Sequence, residues 1–449
     1  MRTPVACTSR RKAPGPSSSA PRYPTALEIA THAVAQLEDD ALFNAGKGAV
    51  FTRDGTNELE ASVMVSRPAA YAKRGVGVTG LRRVRNPIKL ARAVLEHGDE
   101  DLRARGGRHH GGRRRVAGVP VGEQEEGGQT GELRDDDLDV PSAQGHTLIH
   151  GPTAEALARQ YGLDLVDPSY FFTQKRWDEH VGALEPAAAA AGTASWSPDE
   201  FLPQGTVGAV ALDVDGVLCV ATSTGGMTNK LTGRIGDTPV VGAGFWAEEW
   251  EENGAESPKG RVLGDFAWRD ARAYLSGLPG AGPTLELGAA LRGFLADCLP
   301  TPFLYTPVPR EHGHGRRFQP AVVADTRKKT TRGMAVSGTG NGDSFLRTTA
   351  ARTAGAVARW GGVTAASALS RVAGPGGELQ RSAGDRWGRT GEGEGGMIGI
   401  EVVADADDAF AGKSGRAVVL YDHNSSGMFR AWIDDEGAAR FKIWRDYDE

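Results

Sequence analysis

The sequence predicts an α+β protein, and three stretches carry that expectation. Residues Ala26 to Leu37, "ALEIATHAVAQL", space their apolar side chains for a helix and run into "EDDALFNAGKGAVFTRDGTNELEASVMV", where the pattern turns to strand with Asp54-Gly55 as a turn signal. Residues 86–98, "NPIKLARAVLEHG", open on Pro87 and close on Gly98 as a capped helix. Residues 206–224, "TVGAVALDVDGVLCVATST", read as two short apolar strands around the turn "DVDG".

The other elements follow in order. "HTLIHGPTAEALARQ" gives a short strand and then a helix from about Pro152. "FLRTTAARTAGAVARW" (345–360) and "TAASALSRVAG" read as helices, "MIGIEVVADA" and "RAVVLYDH" as strands, and no internal repeat is visible. Between these lie segments of another kind. Residues 1–26 form a tail expected to be disordered, rich in Arg, Ser and Pro. Residues 103–141 are a basic block followed by an acidic one, nearly empty of large apolar side chains, and read as a solvated loop despite their RGG-like and His-His elements. An alanine-rich stretch with prolines, 182–205, is a linker. Residues 250–330 are a long insertion with one helix at "LELGAALRGFLADCL", and its "EHGHGRR" histidines sit in a polar loop.

A chain of 449 residues is long enough for a sizeable core, and 39% hydrophobic residues with a net charge of -5 describe an ordinary globular protein with neither nucleic acid nor membrane as partner. Cys7, Cys219 and Cys298 are widely spaced and odd in number, which excludes a disulfide framework and a CxxC-type metal site and fits a reducing compartment. No run of about 18 apolar residues or secretory core is present. The expected location is cytoplasmic. The first acid is Glu28, as in transit peptides, so mitochondrial import by this tail is the alternative, although its prolines spoil an amphipathic helix.

The threonines of the hairpin carry the chemistry. With the turn centred on Asp215, Thr206 and Thr224 lie equally far from it and face each other across the strands. Threonine also simply favours strands, so the pairing alone decides nothing. Gly205 sharpens the reading, because the Thr206 hydroxyl can attack the Gly205 carbonyl with no β-carbon in the way. That cut frees an α-amine with a reference pKa of about 7.7–8, able to take the proton from its own hydroxyl.

Six blocks in order, "NAGKGAVFTRDGTNELEASVM", "GTVGAVALDVDG", "ATSTGG", "GRIGD", "GAGFWAEE" and "SGTGNGDSFLR", resemble the N-terminal-nucleophile asparaginases, the plant-type asparaginases and isoaspartyl peptidases. The resemblance covers roughly residues 27–100, 146–249 and 331–432. It implies a four-layer αββα sandwich, made as one chain and self-cleaved between Gly205 and Thr206 into an α-segment (27–205) and a β-segment (206–449). By position, Thr206 is the nucleophile and Thr224 orients it. The resemblance gives Arg234, Ile235, Gly236 and Asp237 to the substrate, with the Arg234 fork on its α-carboxylate and Asp237 on its α-ammonium. It assigns Thr339 and Gly340 to the oxyanion, and Gly340, Asn341 and Gly342 with Thr339 to substrate contact. Asn44 supports from behind.

The resemblance further implies no catalytic cofactor, a structural sodium ion held by the main chain at Leu37, Glu38, Asp40, Phe43, Ala45 and Lys47, and a homodimer of cleaved protomers acting on a small amino acid or dipeptide. "GTGNG" lacks the lysine of a P-loop and the full spacing of a dinucleotide fold. The family's His-Gly-Gly loop and first strand find no match in residues 1–26. Threonine aspartases and glycosylasparaginases are the rival activities, each with aspartate where Gly205 stands, and the aspartase lacks an acid at Asp237. The alternative from another class is an uncleaved relative acting as a binding or structural protein.

Overall fold

The computed structural model describes residues 22–67, 75–106, 143, 145–184, 205–253, 329–405, 415–425 and 427–444. Most of residues 1–26, 103–141, 182–205 and 250–330, with Cys7, Cys298, the "EHGHGRR" histidines and the helix expected near 285–299, lie outside them.

Helix α1 (Ala26–Glu38) starts at a reciprocal cap, in which Thr25 Oγ1 accepts the Glu28 amide at 3.2 Å and Glu28 accepts the Thr25 amide at 2.8 Å. Its buried face, Ala26, Ala30, Val34 and Leu37, recurs at helical spacing. Strands β1 (Leu59–Val65) and β2 (Gly75–Leu81) follow, then α2 (Pro87–Gly106), β3 (Leu148–His150), α3 (Gly151–Gln160) and α4 (Gln174–Leu184). The hairpin is β4 (Val207–Leu212) and β5 (Leu218–Thr224), followed by β6 (Phe245–Asn253) and β7 (Lys329–Gly340). Helices α5 (Gly342–Thr348), α6 (Ala350–Trp360), α7 (Ala365–Ala373) and α8 (Glu378–Ala383) lead to β8 (Gly395–Asp405), β9 (Gly415–His423), β10 (Gly427–Ile433) and β11 (Ala439–Trp444).

These strands build a five-stranded sheet in the order β3-β2-β1-β5-β4, a four-stranded sheet in the order β6-β7-β8-β9, and a separate β10-β11 pair. Side chains on successive strand positions point to opposite faces, so each central strand feeds two cores. Val63, Val65, Ala209, Ala211, Cys219 and Ala221 join Val34, Leu90 and Leu157 of the helices on the outer face of the first sheet. Met64, Val210 and Val220 turn the other way, onto Phe245, Ala335 and Ile400 of the second sheet. Met334 and Val336 pack outward on Ala354 and Leu369 of α6 and α7. The protein is thus mixed α and β with several sheets, as expected.

Several boundaries differ from the sequence reading. The 86–98 helix continues through Gly98 to Gly106, into the segment read as loop from 103. The helix expected over 345–360 is two, because Thr349 takes the left-handed conformation (φ 43°, ψ 51°) and breaks the hydrogen-bond ladder. The tail ends earlier than residue 26, since Thr25 caps α1 and Ala26 belongs to it. The 182–205 linker gives its first residues to α4, and the insertion gives Trp250–Asn253 to β6 and Lys329–Thr330 to β7. The C-terminal pair β10-β11 went unread: its alternation is blurred by the exposed Phe429, Phe441 and Trp444.

Candidate active site

The site grows from the β4–β5 hairpin. Asp213 ties the turn, its carboxylate accepting the amides of Asp215 (3.1 Å) and Val217 (2.9 Å), while Gly216 takes φ 74°. The register pairs Val207 with Ser223, so one step further Thr206 comes opposite Thr224. Along β5, Ser223 donates to Glu38 of α1 at 2.7 Å, whereas Thr222 and Thr224 point to the opposite face. Thr222 Oγ1 shares a 2.9 Å hydrogen bond with Ser337 Oγ of β7, joining the two sheets beneath the site. Glu38 is fully buried, and burial pushes its carboxyl up to about 8.

Thr224 Oγ1 accepts the Gly226 amide at 3.0 Å, which leaves its own O–H to donate. Asn44 holds the residues that follow. Its carbonyl accepts the Gly225 amide (2.9 Å), its Nδ2 donates to Gly226 O (2.7 Å), and its Oδ1 accepts the Val50 amide (3.0 Å). The loop around Asn44 is closed by its own main chain, with Leu37, Glu38 and Asp40 carbonyls accepting the amides of Asp40 (3.3 Å), Lys47 (2.7 Å) and Phe43 (3.2 Å). The carbonyls of Phe43, Ala45 and Lys47 take no part in these bonds. A hard cation at this loop would be held by main-chain oxygens alone.

The loop after β5 carries the "GRIGD" residues, and two acids of the β1 segment hold it. Glu58 Oε2 accepts the Gly233 amide at 2.7 Å, and Glu60 Oε1 accepts the Gly236 amide at 3.0 Å. Arg234 Nη2 donates to Asp343 at 2.8 Å. Asp237 is buried, and burial pushes its carboxyl up to about 7; its own backbone amide and Arg234 oppose the rise, and the charges of Glu60 and Asp343 add to it. Burial also holds the Lys230 ammonium below the usual lysine range, although Nζ donates to Glu58 O at 2.8 Å.

On the second sheet, Thr339 and Gly340 end β7, and Asn341 caps α5, its Oδ1 accepting from the Ser344 amide at 3.0 Å. Gly205 lies against the Thr339 hydroxyl closely enough that a β-carbon at 205 would collide with it. A β-carbon at Gly342 would stand 2.6 Å from Asp237 Oδ1 and 3.2 Å from Arg234 Nη2. The two loops therefore meet with room for backbone only.

One cavity of about 1280 Å³ collects these groups. Gly205, Thr206, Thr224, Arg234, Gly236, Asp237, Thr339, Gly340, Asn341 and Gly342 line it, with Asn44, Leu37 and Phe43. Ile235 does not line it: its side chain is turned to solvent at 38% exposure. Glu38, Asp40, Ala45 and Lys47 do not line it either. Sequence reasoning missed Glu58, Glu60 and Ser337. A signal for the acids existed, since "NELEASVMV" places two carboxylates at i and i+2 on an otherwise apolar strand.

The asparaginase family model matches residues 22–109 and 139–263. The isoaspartyl peptidase of Escherichia coli is 38% identical over 223 residues, 50% of this chain and 54% of that protein. The isoaspartyl peptidase/L-asparaginase of Danio rerio is 33% identical over 241 residues (53% and 57%), and the plant-type L-asparaginase of Pyrobaculum calidifontis 32% over 225 (50% and 56%). Over the matched residues the chain is similar to this family of isoaspartyl peptidases and plant-type asparaginases. It spans just over half the length of these relatives. Thr206, Thr224, Arg234 and Asp237 fall within the family match, and Thr339 falls beyond its end at 263. No helix among the described residues is long and apolar enough to cross a membrane.

Proposed function

We propose that the chain is a self-cleaving amidohydrolase that hydrolyses the side-chain amide of L-asparagine, the β-aspartyl bond of isoaspartyl peptides, or both. The observation that supports this best is the convergence, in one cavity, of the Gly205–Thr206 bond, the Thr224 and Thr339 hydroxyls and the Arg234–Asp237 pair. In this reading the helices and the two large sheets form the αββα sandwich of N-terminal-nucleophile hydrolases.

Cleavage comes first. Thr206 Oγ attacks the Gly205 carbonyl carbon, the Gly205–Thr206 C–N bond breaks, and water hydrolyses the resulting ester. A Gly205 carboxylate and a free Thr206 amine remain. That amine then accepts the Thr206 hydroxyl proton as Oγ attacks the substrate's side-chain carbonyl, with Thr224 hydrogen-bonded to the nucleophile. Arg234 and Asp237 hold the α-carboxylate and α-ammonium, placing the carbonyl at the hydroxyl. The Thr339 hydroxyl and Gly340 amide donate to the oxyanion, each such donor being worth about 2.7–4 kcal/mol. The leaving amine departs with the transferred proton, and water releases aspartate from the acyl-enzyme. A sodium ion on the Leu37–Lys47 carbonyls would steady the loop that carries Asn44. We propose that the cleaved protomers pair as a homodimer.

The buried Asp237 carboxylate favours a substrate with a free α-ammonium over an internal peptide segment, which sets the endoprotease reading second. The test is intact mass and N-terminal sequencing of the purified protein and of Thr206→Ala, with hydrolysis of asparagine and a β-aspartyl dipeptide. Two chains, the second starting at Thr206, and an uncut mutant are expected. A single chain with no hydrolysis would leave the uncleaved binding protein as the better reading.

A further inference from the structure

Glu60 is an acid in the middle of a sheet. It sits on β1, where its register partner across the β1–β5 pair is Thr224, and its side chain is 1% exposed yet lines the cavity. A carboxylate at such a place is costly unless donors surround it. Its Oε1 accepts from the Thr79 hydroxyl at 3.0 Å and from the Gly236 amide at 3.0 Å, and its Oε2 lies 3.3 Å from the same amide. Gly236 lies with Ile235 between the two ends of the clamp, Arg234 and Asp237. A β-carbon at Gly236 would stand 3.0 Å from both Glu60 Oε2 and Arg234 Nη1, so any larger residue would press on the carboxylate and the fork together.

We propose that Glu60 is the positioning residue of the substrate clamp: it grips the Gly236 amide, fixes the spacing of Arg234 and Asp237, and ties both to the strand position of Thr224. This rests on the functional reading above. Substrate enters with its α-carboxylate on Arg234 and its α-ammonium on Asp237, while its side-chain amide must reach Thr206. The distance between clamp and nucleophile is set through β1, whose one residue touches the clamp loop and pairs with Thr224.

The charge matters as well as the grip. Asp237 faces Glu60 from β1, Arg234 from its own loop and Asp343 from α5, and Lys230 in turn faces Glu60. The charge of Glu60 beside the ammonium site disfavours ionisation of an empty Asp237. Glutamine at 60 keeps an acceptor for the Gly236 amide and removes the charge. Aspartate keeps the charge and withdraws it from the amide by one methylene.

The two variants separate these roles. L-Aspartate, which carries both clamp ligands and needs no turnover, is titrated calorimetrically into wild type, Glu60→Gln and Glu60→Asp. Steady-state constants and the pH profile of kcat/KM for a β-aspartyl dipeptide are measured beside it. Glu60→Gln should still self-cleave, bind aspartate roughly 10-fold more weakly, raise KM more than it lowers kcat, and move the acid limb of the profile to lower pH. Glu60→Asp should weaken binding while leaving that limb in place. Wild-type affinity and profile in both variants, with wild type itself binding aspartate, would overturn the inference alone. If wild type neither cleaves nor binds aspartate, the functional reading fails and Glu60 falls with it. Should Glu60→Gln prove insoluble, Glu60→Asp decides by its affinity.

Discussion

Gly205 rests against the Thr339 hydroxyl with no space for a β-carbon between them. The residue before the expected cleavage point and a residue expected to bind the oxyanion thus touch before any substrate arrives. In the proposed mechanism this hydroxyl would serve both steps, donating to the oxyanion of self-cleavage and to that of amide hydrolysis.

The first prediction follows from this contact. Gly205→Ala must displace Thr339, and self-cleavage should slow by roughly 10²-fold, the scale of one lost oxyanion donor. The appearance of the second chain on a denaturing gel with time measures it. A wild-type rate would show that the contact plays no part in cleavage.

The hydroxyls should separate by function. Thr224→Val keeps the branched shape and deletes the hydroxyl proposed to donate to Thr206, so cleavage and hydrolysis should slow together. Thr339→Val should lower kcat for amide hydrolysis by about 10²- to 10³-fold while KM changes less. Steady-state hydrolysis of asparagine and of a β-aspartyl dipeptide by the cleaved variants tells them apart. Unchanged kinetics in both would mean that these threonines only build strand and turn.

On the proposed reading, Asp237 sets the pH dependence of substrate capture. Its carboxyl, raised to about 7 chiefly by burial, is neutral in much of the empty protein at lower pH and must ionise to hold an ammonium. Substrate capture should therefore rise with pH through about 7. Stability runs the other way: an acid whose pKa is raised on folding lends stability below its unfolded value of 3.8 and loses it as pH climbs through the folded one. Asp237→Asn should raise KM and flatten the acid limb of kcat/KM while leaving self-cleavage largely intact. Equal loss of cleavage and binding would make Asp237 a structural residue.

Thr222 and Ser337 test the junction of the sheets. Both hydroxyls are buried and each is the other's partner at 2.9 Å. Thr222→Val or Ser337→Ala alone strands the remaining group, at a cost of about 1–3 kcal/mol. The double mutant removes both and should cost clearly less than the sum of the singles, as read from a denaturant-unfolding cycle. Additive losses would show that the bond contributes nothing.

What the sequence alone determined was local. The helical period of 26–37, the Asp213–Gly216 turn and the centring of Thr206 and Thr224 on Asp215 depend on neighbours along the chain, and all three appear in the structure. The elements it misplaced were decided by competition beyond a short window: Gly98 yields to a helix that continues, and Thr349 breaks a helix whose apolar period runs straight through it. The site divides in the same way. "GRIGD" and "GTGNG" were visible as words, but their meeting, with Gly342 against Asp237 and Gly205 against Thr339, brings together residues more than a hundred positions apart. Glu60 shows the reason most plainly. A carboxylate in an apolar strand is an anomaly in the sequence, and only the tertiary structure supplies the Gly236 amide and Thr79 hydroxyl that make its burial affordable.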